Sequence, residues 1–167
     1  MRKMLSVLLA AAAVAAVGAL AACFVIAAYG SASAISVIIS VPNSTFHIGQ
    51  PITTQVELTN LSGTEINVAR SLAETEAQVT CSVLMLDSTG HPIQRTSYGD
   101  AAEKHQLVSS LRVVSLRPAE TLKQTMELTK LFEITKPDTY TVRVGRKWPE
   151  GNGNLVWSNS LTLTITK

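Results

Sequence analysis

From Ile35 to the C-terminus, apolar and polar residues alternate in short β-branched runs divided by turn residues, and no stretch carries an apolar stripe at the 3.6-residue helical period. This pattern predicts strands over residues 35–41, 52–60, 65–71, 77–86, 92–96, 108–116, 121–128, 139–146 and 155–166. Alternation is cleanest in Thr54-Gln55-Val56-Glu57-Leu58-Thr59-Asn60 and Tyr140-Thr141-Val142-Arg143-Val144. In the first, Val56 and Leu58 share one face while Gln55 and Glu57 face water, as in an antiparallel sheet with one wet side. The final run, Ser160 to Thr166, alternates without interruption and reads as an edge or joining strand. Turn chemistry falls between the runs: His47-Ile48-Gly49-Gln50-Pro51, Asn60-Leu61-Ser62-Gly63, and Asp87-Ser88-Thr89-Gly90-His91-Pro92, where Gly90 supplies a positive φ for a hairpin. Residues 97–106 read as an exposed loop with a single helical turn about 100–104. The sum is an all-β, antiparallel sandwich of about seven to nine strands.

Ahead of this pattern, Arg2 and Lys3 precede an apolar run from Met4 to Ala28, closed by Tyr29-Gly30-Ser31-Ala32-Ser33-Ala34. A charged start, an apolar stretch and small residues at alternate positions form an export signal, which divides the chain into a segment 1–34 and a single domain 35–167. Three outcomes compete. Cleavage after Ala34 releases a soluble domain; Leu20-Ala21-Ala22-Cys23 resembles a bacterial lipobox and makes Cys23 a lipidation site; and the run is long enough to remain as a membrane anchor. All three place the domain outside the cytoplasm, periplasmic or extracellular, and touch the membrane only through the N-terminal segment.

Charge then changes the picture. Fourteen basic residues less Arg2 and Lys3 leave twelve against twelve acidic ones, so the domain is formally neutral and does not suit nucleic acid. Cys81 is the one cysteine of 35–167, so no internal disulfide is available, and its strand parity with Val79, Val83 and Met85 reads as core.

The segment Lys136-Pro137-Asp138-Thr139-Tyr140-Thr141-Val142 resembles the tyrosine corner of immunoglobulin-like sandwiches, with Asp138, Tyr140 and Val142 as its structural residues. Val142 stands where antibody-type domains carry a cysteine. The chain therefore resembles the disulfide-free bacterial immunoglobulin-like or fibronectin-III-like modules of exported proteins, and the resemblance implies an immunoglobulin-like β-sandwich with Val56, Leu58 and Val142 in its core. Such modules adhere, bind carbohydrate, act as chaperones, inhibit proteases or serve as spacers, and the fold does not choose among them.

Catalytic chemistry is thin. His47, His91 and His105 lie in three separate turns without metal-ligand spacing, no Gly-x-Ser-x-Gly elbow or phosphate-cradling loop occurs, and Glu74-Thr75-Glu76 reads as a solvated turn. No catalytic residue, metal or cofactor is expected. The sequons Asn43-Ser44-Thr45 and Asn60-Leu61-Ser62 read as turn chemistry. The region above background is the candidate binding loop formed by Arg146, Trp148, Asn152, Asn154 and Trp157, with residues 97–106 as a secondary contact. The expectation is a non-enzymatic binding or accessory module for a protein or carbohydrate at the cell envelope. Two alternatives stand beside it: an extracellular protease inhibitor, and a spacer or assembly subunit self-associating through an edge such as Ser160 to Thr166.

Overall fold

A computed structural model describes residues 33–72, 76–104, 111–150 and 153–167, all within the compact unit Ser33–Lys167. Residues 1–32, most of the segment 1–34 read from the sequence as an export signal and including Cys23, lie outside the described residues, as do Glu74, Thr75, His105 and Asn152. Among the described residues no helix is long and apolar enough to cross a membrane.

The chain folds as an all-β immunoglobulin-like sandwich. One sheet has the order β1–β3–β7, from β1 (Ile35–Ser40), β3 (Thr53–Asn60) and β7 (Thr121–Glu127), all antiparallel. The other has the order β2–β10–β8–β5, from β2 (Thr45–His47), β10 (Leu161–Thr166), β8 (Asp138–Trp148) and β5 (Ser82–Leu86), with β9 (Asn154–Trp157) also on β8. A separate antiparallel ribbon joins β4 (Ile66–Ser71) to β6 (Leu111–Leu116). Inward residues come from alternate positions: Ile35, Val37, Ile39, Val56 and Leu58 from the first sheet, Val83, Met85, Tyr140, Val142, Val144, Leu163 and Ile165 from the second. At about 1.5–3 kcal/mol for each large aliphatic removed from water, this face-to-face layer is the main favourable term in folding. Cys81 joins the same core.

Several elements differ from expectation. Residues 77–86 do not form one strand: Ala77–Val79 is a single 3-10 turn, in which the Thr80 N–H and hydroxyl both donate to the Ala77 carbonyl, and β5 starts only at Ser82. Residues 92–96 make two isolated bridges, Leu86 to Pro92 and Arg95 to Phe132, because Pro92 has no N–H to give a ladder. The expected loop turn at 100–104 is a seven-residue helix, α1 (Ser97–Glu103), whose N-cap Thr96 accepts the Gly99 N–H at 3.0 Å. A further short helix, α2 (Leu128–Leu131), follows β7 and takes over the end of the run assigned to 121–128.

The last strand is not an edge. After β1 the chain passes Pro42 and reaches the other sheet as β2, which pairs parallel with β10 over Thr164 to Thr166, so β10 lies between β2 and β8. The run 155–166 is also split. β9 and β10 pair with the same partner β8 in registers that differ by one residue, the mark of a β-bulge at Ser158-Asn159-Ser160. At the bulge the Ser158 hydroxyl accepts the Val144 N–H at 3.0 Å in place of a main-chain carbonyl. Asn159 uses its amide like a strand residue, accepting from the Ile39 N–H at 2.9 Å and donating to the Ile39 carbonyl at 3.1 Å.

Asn60 closes the opposite flank. Fully buried, it donates through Nδ2 to the carbonyls of Thr64 and Leu116 at 2.8 and 2.9 Å and accepts through Oδ1 from the Ser62 N–H and hydroxyl at 2.8 and 2.7 Å. Its main chain bonds Glu120 and Ala119. All four side-chain valences are filled, which welds the β3–β4 turn and the β6–β7 turn to one point. The first main-chain tie, from the Leu61 N–H to the Ala34 carbonyl at 2.8 Å, lies one residue ahead of β1. Replacing Asn60 by Ala strands several of these groups in the interior, and we expect a loss of about 3 kcal/mol in urea unfolding, with the m-value unchanged.

Candidate functional site

β8 runs the length of the sandwich and carries both regions of interest, the tyrosine corner where it begins and the β8–β9 hairpin where it ends. At the corner, the buried Tyr140 donates its hydroxyl to the Lys136 carbonyl at 2.8 Å, and Val142 sits fully buried with Met85 and Leu161 as its strand partners. Asp138 accepts the N–H groups of Thr139 at 2.7 Å and Ser88 at 3.4 Å, which ties the corner to the turn after β5. That turn is itself organised by Asp87, whose Oδ1 accepts from the N–H and hydroxyl of Thr89 and from the His91 N–H, with Gly90 at φ 86°. Beside the corner a polar groove of about 210 Å3 runs past Asp87, Glu133, Lys136 and Asp138. A second polar groove of about 180 Å3 lies by Gln78, Tyr98, Glu127 and Lys130. Both fall below the roughly 300–1,000 Å3 usual for small-molecule sites.

The hairpin is organised from within. Tyr140, Val142, Val144, Arg146 and Trp148 share the inward parity of β8, and Arg146 is 2% exposed. Its guanidinium donates to the Ala69 carbonyl in β4 and to Glu150 Oε1, with Nη1 at 4.0 Å from Cys81 Sγ. Burial opposes the Arg146 charge, but Cys81 and Glu150 more than offset that penalty and hold its pKa above the ordinary arginine value. Arg146, expected at a binding surface, is therefore an internal brace between the hairpin and the ribbon. Trp148 is half-buried against the core. Trp157 sits on the outer face opposite Gly145, where a Cβ would meet its ring at 3.1 Å, and the Arg143 guanidinium stacks over that ring at 5.3 Å. Gly153 lies so close to the Trp148 main chain that no side chain fits there, and its N–H closes the turn on the Pro149 carbonyl at 2.9 Å.

Of the expected loop residues, Asn154 is exposed and pairs with Trp148, while Trp148 and Trp157 lie on opposite faces of the hairpin. Lys147 and Leu155, which pair with each other, complete its exposed outer surface and share with Arg143 the outward parity that marks them. The secondary contact at 97–106 is not brought to this hairpin. α1 packs on α2, with the Thr96 N–H on the Leu131 carbonyl at 3.0 Å, at the end of the fold where β8 begins. His47 and His91 occupy separate exposed positions, bonded to Lys167 and Thr89, and no group of three His, Cys, Asp or Glu among the described residues is placed to hold a metal.

No family model matches the chain, and no curated protein matches it in sequence. Solved structures align with it at low identity. The CARDB domain of a Pyrococcus furiosus protein, in complex with di-metal ions, is 14% identical with a TM-score of 0.42, over 79% of this chain and 87% of that domain. A Listeria innocua β-glucosidase in complex with isofagomine is 15% identical with a TM-score of 0.43, over 78% of this chain, and a Pseudomonas fluorescens alkylpurine DNA glycosylase bound to DNA is 12% identical with a TM-score of 0.44, over 80%. The chain spans 16% of the length of the glucosidase and 31% of the glycosylase.

Two expectations follow for stability. Glu150→Gln removes the carboxylate that faces a buried guanidinium, and we expect a loss of about 1–3 kcal/mol in chemical denaturation, since a hydrogen bond to a charged group is at stake. The second concerns acid. The Asp87 carboxyl is held below its ordinary pKa chiefly by the Thr89 hydroxyl, then by the His91 N–H, and that of Asp138 chiefly by its bonds to Ser88 and Thr139. A carboxyl whose pKa is lower in the folded state stabilises the fold above its unfolded pKa of about 4, and that stabilisation fades as pH falls through the folded value. Urea midpoints should therefore drop between about pH 5 and pH 3, and Asp87→Asn should make that drop shallower.

Proposed function

We propose that this chain is a non-enzymatic, exported binding or accessory module of the bacterial immunoglobulin-like or fibronectin-III-like type, which holds its β8–β9 hairpin out to a protein or carbohydrate at the cell envelope. The observation that supports this most is the internal bracing of the hairpin: Arg146 is spent on Ala69 and Glu150 beneath it, so the outer surface of Lys147, Leu155 and Trp157 is presented on a fixed frame, with the exposed Asn154 on the other face opposite Trp148. A preorganised surface loses little conformational entropy on binding, which favours recognition by a small patch. Export rests on the charged and apolar N-terminal pattern of the sequence.

Photo-crosslinking in the native host tests this reading. With the crosslinker at Leu155, we expect a discrete adduct with an envelope component, absent when the crosslinker is at Thr162 on β10 and lost when Lys147 is replaced by Glu. A chain recovered only from the cytoplasm, or adducts equal at both positions, would sink the proposal.

A further inference from the structure

Among the described residues, β6 pairs with β4 over its whole length, Leu111 to Leu116, and with no other strand, so its far side is a sheet edge of main-chain donors and acceptors. β10, the edge expected from sequence, is occupied on that side by β2 over Thr164 to Thr166. The β6 edge carries few of the devices that usually block strand addition: Leu111-Arg112-Val113-Val114-Ser115-Leu116 contains no proline, lysine or bulge, and Arg112 is its single charge. It is apolar where water is. Val113 is 67% exposed and Leu111 53%, and Leu72, beside the β4 end of the same ribbon, is 52% exposed.

We infer that the partner for this edge is a second copy of the chain, joined antiparallel β6 to β6 about a two-fold axis through Val113. The register follows from side-chain parity and charge. Residues directly opposite in an antiparallel pair share a face, so a two-fold arrangement must centre on a residue rather than between two. Centred on Arg112, it would set two guanidinium groups face to face. Centred on Val113, it sets Val113 against the second Val113, Leu111 against Ser115, and Arg112 against Val114, so no like charges oppose and the most exposed valine is covered. The domain's twelve basic and twelve acidic residues add no net repulsion between copies. The dimer extends two ribbons into one four-stranded sheet and leaves both β8–β9 hairpins free, since Arg146 ties the hairpin to the β4 side of the ribbon.

Cysteine crosslinking reads the register directly. Full-length Val113→Cys and Ser115→Cys variants, recovered from the host and air-oxidised with copper phenanthroline, should differ by at least about tenfold in disulfide-linked dimer, because only the 113 pair falls within bonding distance on the axis. Light scattering of the natural chain should show a dimer that Val113→Lys converts to monomer with its circular dichroism unchanged, as position 113 supports nothing in the core. A natural chain that stays monomeric at every concentration, equal crosslinking at 113 and 115, or a β6-dependent complex with a different protein would each overturn the inference.

Discussion

A sandwich without a disulfide must be tied across its layers by something else, and here the ties are side chains that reach main-chain groups of a neighbouring element. Arg146 leaves the second sheet to cap the Ala69 carbonyl of the ribbon, Asn159 grips both polar groups of Ile39 in the first sheet, and Asn60 gathers two turns. Arg146 and Asn60 place polar groups where water cannot reach, tolerable only because their partners are supplied by the fold, while Asn159 makes its tie from an exposed position. The apolar layer provides the bulk of the driving force but is indifferent to sliding; these polar ties fix where the layers sit. Val56, Leu58 and Val142 can then fill the centre as plain hydrocarbon.

Much of this is legible in the sequence because period-two alternation reports which face of a strand is wet. β1, β3, β7 and the centre of β8 follow from it, as does the burial of Cys81. What alternation does not carry is the identity of the neighbour. β2 is three residues long and belongs to the second sheet because the chain crosses over after β1, a fact with no local signature. The 3-10 turn at Ala77–Val79, with Val79 its one β-branched residue, leads into the alternating run that ends in β5, so alternation alone extends the strand back over it.

The candidate site shows the same division. The Lys136-to-Val142 segment is a local device, and Tyr140 reaches back only four residues, so its pattern could be read directly. Arg146 was read by residue type, as a cation near a flexible loop, although its parity with Tyr140, Val142 and Val144 already placed it inside. The acceptor it needs, Ala69, is 77 residues away in sequence, beyond any motif. Asn154 and Trp157 can be read from the hairpin's own sequence, but that Lys147 and Leu155 share the outer face with Trp157 while Asn154 lies on the other follows only from the register of β8 against β9.

The bulge at Ser158-Asn159-Ser160 divides the long ladder on β8 into two blocks, β9 above and β10 below. A break in register interrupts the cooperative transmission of hydrogen bonding along a strand pair, and the serine hydroxyl that bridges it is a weaker joint than a run of peptide groups. The two blocks are therefore separate units of local opening. Opening of the β10 block need not carry the hairpin with it, because the Arg146 brace ties the β8–β9 block to Ala69 of the ribbon rather than to β10.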